Sequence, residues 1–113
     1  MRRRMMKSKI HRATVTGADV DYAGSVSIDT ELMKRADIAE WEQVALLDVD
    51  NGVRLETYAI PGEPGQVQVN GAAARLVEPG HRVILITYAD YEDDELGGFT
   101  PTVVLVDSDN RAV

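Results

Sequence analysis

The run "EQVALLDVDNGVRLETYAI", Glu42 to Ile60, limits the fold more than any other stretch. Two β-rich segments flank Asp50-Asn51-Gly52. Asn-Gly tolerates positive φ, so the pattern predicts an antiparallel hairpin. Other segments carry the same signal. "KIHRATVTGADV" is strand-forming up to turn chemistry at Gly17, and "SVSID" resumes a short strand. "QVQVNG" alternates as a half-buried strand does. "HRVILITYADY" and "TPTVVLVDSD" are two more strands, the first long and largely buried. Asp29 or Thr30 caps a short helix over "TELMKRAD", with Glu31 in its first turn. "PGEPG" is a turn cluster, and "AAARLV" makes one helical turn stopped by "EPG". Six or seven strands, two short helices and short connections predict a small, mainly β barrel rather than alternating βαβ units. A barrel also removes the exposed edges that Val-rich strands present.

The 113 residues fit a single domain, and one Trp and one Phe leave the core to aliphatic side chains. "VILI" and "VVLV" are too short to span a bilayer, and no apolar leader core follows "MRRRMMKSKIHR". With no cysteine, thiol nucleophiles, disulfides and thiolate metal sites are excluded. A cytoplasmic protein without membrane contact is the expectation. The net charge is −7, yet six of the twelve Lys and Arg residues fall within the first twelve positions. A basic arm can touch nucleic acid. The plainer expectation is a solvated terminus on an acidic body that repels phosphate. The acidic run "DYEDDE", Asp90 to Glu95, lacks the glycine and spacing of a calcium loop and reads as a solvated loop.

No P-loop, no dinucleotide-binding glycine motif and no GxSxG elbow is present. His11 and His81 have no metal-ligand spacing, and no metal site is expected. What remains is a set of polar residues that interrupt strand-like runs: Lys9, His11, Tyr22, Gly24-Ser25, Arg54, Thr57-Tyr58 and Asn70-Gly71-Ala72-Ala73. Each has an ordinary explanation, such as a surface charge, a core-capping tyrosine or a plain turn.

Together they carry a resemblance. "KIHRATVTGADVDYAGSVSID", "NGVRLETYAI" and "VNGAAA" resemble, in order and spacing, segments of the pyruvoyl-dependent aspartate 1-decarboxylases (aspartate α-decarboxylases). The resemblance runs from about Met5 to Val106 and weakens after Asp90. It implies a double-psi β-barrel assembled as a homotetramer, with active sites between subunits. It implies a proenzyme that cuts itself between Gly24 and Ser25, giving a β chain of 1–24 and an α chain of 25–113. Ser25 then becomes a pyruvoyl group, so no metal and no pyridoxal phosphate is needed. The implied activity is that of a carboxy-lyase, which turns L-aspartate into β-alanine and CO2 for pantothenate biosynthesis through a Schiff base on that pyruvoyl. In the implied roles, Tyr58 is the proton donor, and Thr57 and Asn70 assist processing. Lys9, Arg54, Thr57, Gly71, Ala72 and Ala73 bind substrate, and His11 and Tyr22 lie near the site. Guanidinium suits the β-carboxylate because it pairs bidentately. The competing expectations are a non-enzymatic β-barrel regulator using its Arg-rich arm on nucleic acid, and an inactive, uncleaved homologue.

Overall fold

The hairpin forms, but its turn is longer than the Asn-Gly signal suggests. A computed structural model describes residues 1–113. In it β4 (Gln43–Asp48) and β5 (Arg54–Gly62) pair antiparallel, with Leu47 opposite Arg54. A five-residue loop joins them. Asp48 explains it. One carboxylate oxygen accepts from the backbone N–H groups of Asp50 and Asn51, at 2.8 and 3.3 Å, and so supplies the turn's hydrogen bonds itself. Only Gly52 takes positive φ there.

The remaining strands are β1 (Arg2–Thr14), β2 (Gly17–Asp19), β3 (Val26–Asp29), β6 (Val67–Asn70), β7 (Arg82–Glu92) and β8 (Thr102–Leu105). Their order across the sheet is β2-β6-β3-β5-β4-β7-β1-β8. β2, at one end, is continuous with β1, next to the other end. β1 runs into β2 through Val15 and Thr16, whose N–H groups bond His81 O and Val67 O at 2.9 and 2.8 Å. The continuous strand thus leaves β7 and joins β6, which closes a ring of six, with β8 outside it on β1. β5 switches partner too, pairing with β4 up to Tyr58 and with β3 from Ala59. The expected mainly β barrel is borne out.

Inward-facing Val, Ile and Leu fill the ring, including Ile10, Val26, Val44, Leu46, Val69 and Leu85, all fully buried. Burying one such side chain contributes about 1.5–3 kcal/mol. The one α-helix, α1 (Thr30–Arg35), begins where expected. Asp29 accepts from Glu31 N at 2.7 Å, and Leu32 and Met33 plug the core. The "AAAR" turn is a 3-10 helix over Gly71–Arg75.

The Arg-rich start is solvated as expected, but it is not loose. It is the first part of β1, paired with the end of β7: Arg2 opposite Glu92, Arg3 opposite Tyr91, Arg4 opposite Asp90. "DYEDDE" is correspondingly the end of β7 and a short 3-10 turn, Asp93–Glu95, rather than a free loop. Arg3 lies 2.7 Å from Asp93 and Arg4 3.0 Å from Asp90. The Arg4 hydrogen bond holds the Asp90 carboxyl below its usual range. Exposed pairs of this kind add little, because solvent screens them and two long side chains must be ordered. The barrel interior therefore dominates stability, and the pairs set the arm's register. No helix is long and apolar enough to cross a membrane.

Asp48, Asp50 and His81 bring their ligand atoms within 4.8 Å of one another. Their oxygens are engaged internally: Asp48 Oδ2 lies 2.7 Å from His81 Nδ1, and Asp50 Oδ2 accepts from Arg82 N at 2.7 Å. The cluster is a brace between the hairpin loop and β7. The hydrogen bond to Asp48 is the main cause raising the His81 pKa above its ordinary value, against a smaller opposing cost of burial. A raised folded pKa contributes stability that is complete below the unfolded value, about 6.5, and is lost as pH rises through the folded value. His11 has the opposite sign, because burial and then Lys9 and Arg12 lower its pKa. The difference between wild type and His81→Gln separates the two. The wild-type Tm advantage is expected to be larger at pH 6 than at pH 8, as read by melting both proteins across that range. A gap independent of pH would remove the ion pair from the brace.

Candidate active site

Register brings three separated stretches to one turn. β3 lies between β6 and β5, with Val26 opposite Val69 on one side and Ala59 on the other. The residues next to those partners, Asn70 and Tyr58, therefore flank Ser25. Gly24 and Ser25 both have positive φ, +92° and +88°. Glycine adopts that region freely, and serine does so only under constraint, at a cost of roughly 1–3 kcal/mol.

The constraint is visible. Asn70 grips Ser25 at two points: its N–H donates to Ser25 O at 2.9 Å, and its Nδ2 donates to Ser25 Oγ at 3.1 Å. Gln68 Nε2 donates to Asn70 Oδ1 at 3.0 Å and fixes the amide's orientation. Asn70 Nδ2 also reaches Ser27 Oγ at 3.2 Å. Ser25 itself is 2% exposed, so its hydroxyl meets a preset environment rather than bulk water. Upstream, Gly24 N donates to Tyr22 O at 2.7 Å, closing a three-residue turn. Tyr58 OH donates to Ala23 O at 3.0 Å.

Gly71, at φ +71°, packs its backbone against this turn. A Cβ there would lie 2.7 Å from Gly24 Cα and 2.9 Å from Gly24 N. Neither contact is tolerable, and both obstacles are backbone. Gly71→Ala is expected to force the Gly24-Ser25 turn apart, destabilising the fold by about 1–3 kcal/mol. Denaturant unfolding checks this, and an unchanged midpoint would show that the two backbones do not meet.

The sequence missed Ser27 and Gln68. They face each other across β3 and β6. The i, i+2 spacing of Ser25 with Ser27 and of Gln68 with Asn70 was the available signal, because such residues share a strand face.

The family whose model is described as aspartate decarboxylase matches residues 1–113. An aspartate 1-decarboxylase of Myxococcus xanthus (strain DK1622) is 56% identical over 115 residues, covering 100% of this chain and 88% of the relative. The chain belongs to the aspartate decarboxylase family.

For an aspartate decarboxylase, the expected site residues fall into two groups. Gly24, Ser25, Tyr58, Asn70 and Gly71 converge, and Ala72 and Ala73 follow in the same 3-10 turn. Tyr22 contributes its backbone carbonyl, while its side chain is largely exposed. Thr57 makes no hydrogen bond to the turn and alternates to the strand face opposite Tyr58. Arg54 and Lys9 are not at the turn. Arg54 shares a strand face with Tyr58 but sits four residues away, about 13 Å along the strand. It lines an open cavity of about 560 Å³ with Gln43, Glu56 and Tyr88, and none of the turn residues reaches it. Its guanidinium has no ion pair within the chain. Lys9 lies on β1, whose neighbours are β7 and β8. His11, two residues along, keeps a buried Nδ1 with no partner, and burial holds its pKa below the ordinary value.

Proposed function

We propose that this chain is a proenzyme that cuts itself between Gly24 and Ser25 and then decarboxylates L-aspartate to β-alanine. The observation that carries this reading is the constrained pair itself: a serine at φ +88°, directly after a glycine at +92°, its Oγ held by Asn70. Membership of the family supplies the substrate.

The cut follows from the turn. Ser25 Oγ bonds to the Gly24 carbonyl carbon, the peptide C–N bond breaks, and the hydroxyl proton passes to the freed nitrogen, leaving an ester. Opening the turn releases backbone strain, which favours this direction. Loss of the Ser25 Cα proton and cleavage of its Cβ–O bond then expel the Gly24 carboxylate. Water replaces the nitrogen as ammonia, and residue 25 is left as a pyruvoyl. The surroundings suit that group. The Gly71 backbone, with no Cβ, sits beside it, and the Asn70 amide donates to the Ser25 Oγ that departs with Gly24. The pyruvoyl supplies an electron sink for the charge left when CO2 departs.

The chain's own residues do the rest. Tyr58 holds a hydroxyl next to the cut and donates the proton to the substrate carbon. Gly71, Ala72 and Ala73 keep the wall small enough for main-chain groups to approach the substrate. Thr57, on the same strand, assists processing. Arg54 and Lys9 recognise the carboxylate not lost. Their distance from Ser25 within one chain supports a homotetramer in which a neighbouring subunit delivers them. Neutral His11 and the backbone of Tyr22 complete the surroundings. The arginines of the basic arm are drawn to carboxylates of β7 and the turn after it, which weakens the regulator reading.

Intact mass of the purified protein, followed by incubation with aspartate, tests this. Two species divided after Gly24, and β-alanine formation, are expected. One species at 12.4 kDa with no β-alanine formed overturns the reading.

A further inference from the structure

We propose that Trp41 is a positioning residue for Tyr58, holding the phenol ring in place for proton donation. The proposal rests on the assignment of Tyr58 as the proton donor. Trp41 has φ +75°. For a bulky aromatic this is a genuine outlier, and such strain persists only where the surroundings fix it. Here they do. Trp41 N donates to Ala59 O at 2.8 Å, and Ala59 N donates to Glu42 O at 2.9 Å. Glu42 closes the same turn: its Oε1 accepts from Ala39 N at 2.9 Å, and its Oε2 lies 2.7 Å from Lys7 Nζ.

Burial within the chain does not explain a tryptophan at this position, since Trp41 is 66% exposed there. Glycine would adopt the φ value without strain. What the indole provides is a contact. Its ring centroid lies 5.6 Å from that of Tyr58, tilted by 31°. This falls in the favourable range for aromatic pairs. Both residues are tied to the same short stretch of β5, because Ala59 anchors Trp41 and directly follows Tyr58. The Tyr58 hydroxyl in turn is aimed at Ala23 O, and a Cβ on Gly24 would lie 3.3 Å from it. The strained turn therefore brings an indole against the ring whose hydroxyl stands beside the cleavage site. Without it, Tyr58 is freer to rock away from the reacting carbon.

The test compares Trp41→Gly, Trp41→Asn and Trp41→Phe with Tyr58→Phe. Turnover is counted per cleaved chain, and each protein is also melted. Glycine and asparagine both accept positive φ and remove the ring. Each is expected to lower kcat roughly 3- to 10-fold, the range an aromatic pair provides, with KM for aspartate unchanged. Phenylalanine keeps a ring and is expected to restore most of the rate. Tm of the glycine variant is expected to be no lower than wild type, because relief of strain offsets the lost contact. Wild-type kcat in the glycine and asparagine variants, with Tyr58→Phe impaired, overturns the role of Trp41 alone. A kcat loss that only follows a fall in Tm, or a rise in KM at constant kcat, overturns it as well. Wild-type kcat in Tyr58→Phe overturns the assignment on which the proposal rests.

Discussion

Ser25→Ala is expected to stay in one piece and to release no CO2 from aspartate. The substitution removes the attacking oxygen and, with it, the atom that starts conversion of residue 25 into a ketone. Both losses are complete rather than partial, because the ketone can form only on a residue 25 that carries its own Cβ–O bond to eliminate. Ser27, two residues along β3 and hydrogen-bonded to Asn70, cannot substitute for that bond. The barrel should survive. Asn70 keeps its backbone bond to residue 25 and its side-chain bonds to Ser27 and Gln68. The lost hydrogen bond costs about 0.5–1.5 kcal/mol. Intact mass should therefore show one 12.4 kDa species in a protein that still melts cooperatively. Two fragments from this variant would dismiss Ser25 as the nucleophile.

The second large effect is expected at Tyr58. Tyr58→Phe keeps the ring, its contact with Trp41 and its fit against Gly24, and loses only the hydroxyl bond to Ala23 O. Self-cleavage should proceed, since the Ser25–Asn70 geometry is untouched. Turnover by the cleaved protein should fall about 10²–10⁴-fold, the usual contribution of a positioned proton donor. A rapid-quench measurement of β-alanine formation checks this. An unchanged rate would mean that the proton comes from elsewhere, and a failure to cleave would move Tyr58 from the decarboxylation step to maturation.

Local signals in the sequence were enough for the hairpin, the Asp29 cap, the short helix and the alternating strands. They rest on neighbours a few residues apart. The closure of the ring was not legible, because it depends on one strand changing partners at Val15 and Thr16, a long-range event with no local mark. The arm was half legible for a related reason. Charge rightly placed its side chains in solvent, but the pairing of Arg2–Arg4 with Asp90–Glu92 joins residues almost the whole chain apart. Within the site, the motifs named Gly24, Ser25, Tyr58, Asn70 and Gly71, and strand register explains why they meet. Trp41 carried no motif, since its importance lies in a backbone angle. The separation of Arg54 from Ser25 follows from spacing along one strand.

The strand that closes the ring lies wholly upstream of Ser25. A cut after Gly24 therefore does not free a peptide; it leaves a severed stave still wedged between β6 and β7, with Ile10, Ala13 and Val15 sealed inside. Folding and maturation must then occur in a fixed order. The uncut chain assembles by a unimolecular route, but a matured barrel that melts becomes two molecules, which must find each other again. Its recovery would then depend on concentration, whereas that of the uncut chain would not.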